Sequence, residues 1–255
     1  MMREWLPLQD DFQHAILSLE GRGTDDSCTS CQATNAGKYR CEDCYHSGLL
    51  CQECCVAYHA RHPFHSIRQW TGKYFQSVAL QALGFVLHFG HGGSPCPAYD
   101  HRYDNSGREF TVVDVDGVYT HRVAWCECTN GPERWKQLLQ AKLYPASIQY
   151  PKTAFTFRQL QYYGIDTLEC GVTASSFMTK LRRLTNLHHP ETVAVCSICL
   201  LVEFRQCYLP LIHRIEAGSW EESHGNGTTW RPSAHLVLLM TQIEHLVLVI
   251  WHGFA

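Results

Sequence analysis

Three Cys-x-x-Cys pairs follow one another closely: Cys28 and Cys31, Cys41 and Cys44, and Cys51 and Cys54, with His59, His62 and His65 just beyond. A pair spaced this way offers two thiolates to one metal ion from a single tight turn, and zinc takes four thiolate or imidazole ligands at tetrahedral corners. Three pairs and two histidines make eight ligands, enough for two complete sites. A crossed arrangement puts Cys28, Cys31, Cys51 and Cys54 on one ion and Cys41, Cys44 and two histidines on the other. A sequential arrangement instead joins Cys28, Cys31, Cys41 and Cys44. His59 and His65 are the favoured histidines and His62 the substitute, with Pro63 fixing the turn between them. Cys55 is left over, as a small apolar side chain. Four protein ligands leave no position for a reactive water, so these sites read as structural.

Disulfides are the competing use for so many sulfurs. The histidines argue against them, because disulfides have no use for imidazole. So do the charges of Glu4, Asp10, Asp11 and Glu20, which break any signal-peptide pattern. A reducing, intracellular compartment follows. The loops between the pairs are short enough that metal, rather than a hydrophobic core, is expected to supply the folding energy.

A second constellation lies downstream. Cys126-x-Cys128 follows a strand, and His91 and Cys96 sit beside glycine or proline in loops able to reach it. Together they make one further four-ligand set, the alternative being buried thiols and an unrelated histidine. Cys170, Cys196, Cys199 and Cys207 read as core thiols.

The elements that must position these residues are legible from periodicity. Residues 2–20 read as an amphipathic packing helix, with Trp5, Leu8, Phe12, Ile16 and Leu19 on one face. Residues 110–115 and 118–125 flank Asp116-Gly117 and read as a β-hairpin turning there. Helices are expected over 132–143, 156–163 and 174–187, the last with Phe177, Leu181 and Leu184 as its apolar stripe. The fold class is α+β: an N-terminal zinc cluster, then a small mixed domain with a hairpin and several helices. The divisions are residues 1–23 (helix), 24–70 (cluster), 71–187 (mixed region) and 188–255 (an apolar tail, irregular or helical). In that tail, residues 234–251 are nearly long enough to cross a membrane, but Gln242, Glu244 and His245 interrupt them.

The net charge of −3 gives no global basic field, so nucleic-acid binding would have to be local. Lys38, Arg40, Arg61, Arg68 and Lys73 surround the cysteine pairs and are the candidates. Asp114 and Asp116 lie on and after a strand, as metal-binding carboxylates can, but read as turn and surface aspartates.

The spacing of the pairs resembles a B-box or RING cluster. Beyond it, the order of features is similar to the second type of CxC cysteine cluster found with Kyakuja-Dileera-Zisupton (KDZ) transposases of mushroom-forming fungi. The pieces are Arg40-Cys41-Glu42-Asp43-Cys44, Cys54-Cys55, Pro63-Phe64-His65, Gly90-His91-Gly92 with Cys96-Pro97, Cys126-Glu127-Cys128, Gln137-Leu138-Leu139, Tyr144-Pro145-Ala146, residues 151–157 and Leu184-Thr185-Asn186. The resemblance covers about residues 5–187. It implies a nuclear, zinc-binding, non-catalytic region of transposon origin that contacts DNA or a transposase catalytic chain, without that catalytic domain. It calls for no small-molecule substrate and no membrane anchor. The B-box likeness implies a protein–protein module, such as a ubiquitin-system adaptor. After about His189 the chain departs from the family pattern, and the tail reads as a gene-model error.

Overall fold

The computed structural model describes residues 2–45, 48–98 and 109–193. Cys196, Cys199, Cys207 and the whole apolar tail after residue 193 lie outside these described residues.

The chain is α+β, with two sheets. The first has three antiparallel strands, β1 (Tyr39–Cys41), β2 (Ile67–Trp70) and β3 (Phe75–Val78), in that order. A short helix, Gln52–His59, connects β1 to β2; helices Met2–Trp5 and Gln9–Ser18 precede it, so the three are α1, α2 and α3 in chain order. Contrary to the expectation of a core-free cluster, this region buries Tyr39, Leu50, Cys55, Ile67, Leu80, Leu83 and Phe85 around Cys28 and Cys41. The missing apolar mass comes from residues 67–85, downstream of the ligands. Loops too short to bury themselves are covered by the strands that follow.

The second sheet runs β4 (Val86–His88), β6 (Gly117–Ala124), β5 (Glu109–Asp114), β8 (Thr153–Thr156) and β7 (Leu143–Pro145). β5 lies at its centre, antiparallel to β6 and parallel to β8. Both of its faces are covered, which is why residues 110–113 are nearly continuous in apolar character. On one side Val113, Val118 and Phe155 meet Leu160 and Tyr163 of α5 (Phe157–Cys170) and Phe177, Met178 and Leu181 of α6 (Ala174–Thr185). On the other, Phe110, Val112 and Ala154 meet Phe89, Leu143 and Leu138, the last from α4 (Arg134–Gln140). Thr156 and Thr173 cap α5 and α6 by accepting from the backbone N–H of Gln159 and Ser176.

Four expectations need correction. The hairpin turns at Val115-Asp116, because Asp114 pairs with Gly117; a Cβ at Gly117 would meet the Thr185 hydroxyl at 2.8 Å, so the glycine serves close packing against α6. The expected packed face of the N-terminal helix is bare: Trp5, Leu8, Phe12, Ile16 and Leu19 are all exposed, and Trp5 and Phe12 stack on each other at 5.2 Å. Periodicity reports that one face is apolar, not that anything covers it. Cys170 is an exposed thiol at the end of α5 rather than a core residue, and Leu184 at the foot of α6 is 56% exposed.

Candidate metal centres

Among the described residues, three four-residue groups bring their potential ligand atoms within 4.8 Å of one another: Cys28, Cys31, Cys51 and Cys54; Cys41, Cys44, His59 and His65; and His91, Cys96, Cys126 and Cys128. The first two interleave along the chain, so the crossed arrangement is the one the fold builds. His62 stays outside and stacks on His65, with ring centroids 4.9 Å apart.

Helix α3 explains the crossing. Cys51 is its N-cap, with the sulfur accepting from the Cys54 N–H, and His59 is its last residue. One short rigid helix therefore gives two thiolates to the first group and an imidazole to the second. Its N-terminus also favours negative sulfur. Cys41 closes β1 and Cys44 follows three residues on, while His65 lies two residues before β2. The Asp43 carboxylate accepts from the Ser66 N–H at 2.5 Å, and Glu42 N–H donates to the Ser66 carbonyl at 3.0 Å, tying the two ligand loops together.

The spacings fit tetrahedral zinc. Bonds of about 2.3 Å to sulfur and about 2.0–2.1 Å to nitrogen put S···S near 3.8 Å and S···N near 3.5 Å across a tetrahedron. In the first group Cys31 and Cys51 sulfurs are 3.8 Å apart. In the second, Cys41 to His65 Nδ1 is 3.5 Å, Cys44 to His65 Nδ1 is 3.3 Å and Cys44 to His59 Nε2 is 3.7 Å. In the third, Cys96 to Cys128 is 3.7 Å, and His91 Nε2 lies 3.3 Å from Cys126 and 3.5 Å from Cys128.

The electrostatics point the same way. Burial, then the adjacent Cys44 sulfur, pushes the Cys41 thiol up to about 12. The Ser30 hydroxyl draws Cys54 down, but the Cys51, Cys31 and Cys28 sulfurs and burial together outweigh it and leave the thiol at about 12. Cys126 and Cys96 hold Cys128 at about 11. In each group, then, a sulfur resists ionising beside its neighbours, and a dication would reverse that repulsion. Burial opposes ionisation of Cys28 too, yet the N–H groups of Cys31, Cys51 and Ser30 hold it at about 6. The Glu127 N–H does the same for Cys96, also at about 6. Burial keeps His59 and His65 below the ordinary imidazole value, so both stay neutral with a lone pair to give.

Two supports escaped the sequence reading. His59 Nδ1 lies 2.8 Å from the Cys55 carbonyl, which fixes the tautomer that leaves Nε2 free to ligate. Cys55 itself is a buried thiol, raised to about 11 by burial. In the third group, buried Gln137 on α4 accepts from the Cys126 N–H at 2.9 Å and donates to the Cys126 and Pro132 carbonyls at 3.1 and 2.8 Å. A polar residue on the inner face of a helix was the only available signal. His91 has φ +46°, beside Gly90 at +80°, where an added Cβ would meet the Cys126 Cβ at 2.8 Å. Only glycine lets that loop approach so closely.

The candidate basic face is partly spent inside the molecule. Arg40 pairs with Glu42 at 2.9 Å, contacts Glu20 and donates to the Leu19 carbonyl; Arg68 pairs with Glu42 at 3.4 Å and Glu20 at 3.8 Å. Asp114 and Asp116 are likewise engaged: Arg158 donates to them at 2.6 and 2.8 Å, and the Thr156 hydroxyl donates to Asp114.

Residues 80–189 match the family described as CxC2 like cysteine cluster associated with KDZ transposases. The matched segment begins at the edge of the second sheet and contains the third ligand group; the crossed pair of groups precedes it. No curated protein and no solved structure matches the sequence. Among the described residues, no helix is long and apolar enough to cross a membrane.

Proposed function

We propose that this chain, carrying a CxC2 cysteine cluster over residues 80–189, is a three-zinc scaffold of KDZ transposase origin that assembles with a transposase catalytic chain. The observation that carries the reading is the set of three groups, each closed by four sulfur or nitrogen ligands at tetrahedral spacing. Soft thiolates and imidazoles select zinc over magnesium or calcium. A closed ligand set supplies folding energy and rigidity and gives no open position for activating water. The crossed groups, spanned by α3 and backed by a three-stranded sheet, support a B-box-like or RING-like N-terminal module. The reading is of a nuclear, non-catalytic part.

Ion pairing favours assembly over DNA contact. Of the five basic residues around the first two groups, Arg40 and Arg68 are shared with Glu20 and Glu42. Lys38, Arg61 and Lys73 are exposed and carry no ion pair among the described residues, which keeps local phosphate binding as a second reading.

Native mass spectrometry with and without chelator tests the scaffold. Three ions that leave on chelation are expected, and folded protein devoid of metal overturns the reading. Co-elution with the transposase chain that is lost on chelation tests assembly. A gel shift whose salt dependence weakens on charge reversal at Arg61 and Lys73 would favour DNA. Autoubiquitination would move the module to the ubiquitin system.

A further inference from the structure

Every residue from 4 to 20 is exposed, across α1, a 3-10 turn at Leu6–Leu8, and α2. Trp5, Leu8, Phe12, Ile16 and Leu19 run down one side of this stretch at 42–67% exposure. Its end is tied to the first sheet: Arg40 donates to the Leu19 carbonyl, and Arg40 and Arg68 reach Glu20 at 3.9 and 3.8 Å. The apolar side itself faces solvent among the described residues. A helix this short is marginal in water by itself, and its apolar area contributes stability only when something covers it.

Charge narrows what covers it. Glu4 and Asp11 each come one residue before an aromatic of the stripe, and Trp5 and Phe12 stack at 5.2 Å. The two acids therefore share one edge of the stripe, and Gln9 and Gln13 fall along the other. Residues 2–19 hold no lysine, and Arg3 is their one arginine. An anionic bilayer or a nucleic acid meets repulsion there; helices that lie on membranes carry lysine and arginine on the polar face. Two copies of the segment do not answer the charge either. Laid antiparallel they bring Asp11 edge to Asp11 edge, and laid parallel they set the acids against glutamine. A basic helix does answer it. Its own apolar stripe seats on Trp5, Leu8, Phe12 and Ile16, and its lysines or arginines meet Glu4 and Asp11.

We propose that residues 4–19 are a docking arm for an amphipathic helix of a partner protein, apolar on one side and basic along the adjoining edge. The proposal deepens the assembly reading and rests on it only for which chain supplies the helix. Co-elution with the transposase chain can fail while peptide binding holds, and the reverse.

The test uses the full chain with its metal and two amphipathic peptides with leucine at the same helical spacing, one edged with lysine and one with glutamate. Segment-resolved hydrogen exchange over residues 2–20 reports occupancy, with the second sheet as internal check. The lysine peptide is expected to protect this segment and to bind about tenfold more tightly than the glutamate peptide. That is the effect of two surface ion pairs gained and two like-charge contacts avoided. Glu4→Lys with Asp11→Lys should reverse the preference. Phe12→Ser with Ile16→Ser, both at exposed positions, should abolish binding of both peptides while exchange in the second sheet stays the same. Equal binding of the two peptides, a preference that charge reversal leaves in place, or no protection with either overturns the proposal. So does protection of the segment in the chain alone: with a dimer's mass a second copy covers the face, and with a monomer's mass another part of this chain does.

Discussion

The two sheets of this protein solve the same problem by different means. The second sheet is buried on both faces, with Phe155, Phe177, Leu181 and Leu138 at 1% exposure or less, and its single ligand group sits beyond the ends of β4 and β6. The first sheet rests on one apolar cluster where the second has one on each face, and two ligand groups grip its loops from both ends of α3. A fold with a full core can carry a metal as an accessory. A fold with a thin one is expected to depend on it, even though residues 67–85 lend it more core than its ligand loops suggest.

Chelation should separate the two most sharply. Structural zinc contributes about 10–16 kcal/mol in finger peptides, so stripping all metal should unfold residues 28–70 while the second sheet keeps its secondary structure. Hydrogen exchange resolved by segment would show this; uniform loss of protection in both would break the contrast. Phe155→Ala should do the converse, costing the second sheet about 3–5 kcal/mol with the number of bound ions unchanged, read by denaturant unfolding and native mass spectrometry. Gln137→Ala is a smaller lever. It leaves the Cys126 backbone groups unpaired and should weaken the third site alone about 10–100-fold, measured by competition with a chromophoric chelator; equal weakening of the first two sites would contradict its assigned role.

The smallest expected effect concerns pH. Burial lowers His121 from the ordinary 6.5 to about 4. Between those values the unfolded chain binds a proton that the folded chain refuses, so stability falls as pH drops from about 6.5 toward 4. His121→Phe should flatten that part of the stability profile, followed by thermal melting of the second sheet. An unchanged profile would mean the ring is charged, hydrated or paired.

The sequence by itself determined the ligand types, their grouping in pairs, the β5–β6 hairpin and the helices α4, α5 and α6, but not α3 or the other six strands. Cys-x-x-Cys spacing is local chemistry, settled by one turn. The same is true of the apolar stripe of α6 and of the β-rich runs that mark β5 and β6. What tertiary structure decided was everything that depends on distant residues meeting. The choice of His59 and His65 over His62 follows from α3 ending beside the loop before β2, and the crossed pairing follows from α3 reaching both groups. The fourth corner of the last group waits on a loop from residue 91 folding against residue 126. Covering also belongs to this class: the N-terminal helix has the pattern of a packed face and lies bare, while Gln137 and His121 look like ordinary polar residues and are buried. Periodicity records what a segment offers, but burial and coordination are set by what the rest of the chain brings to it.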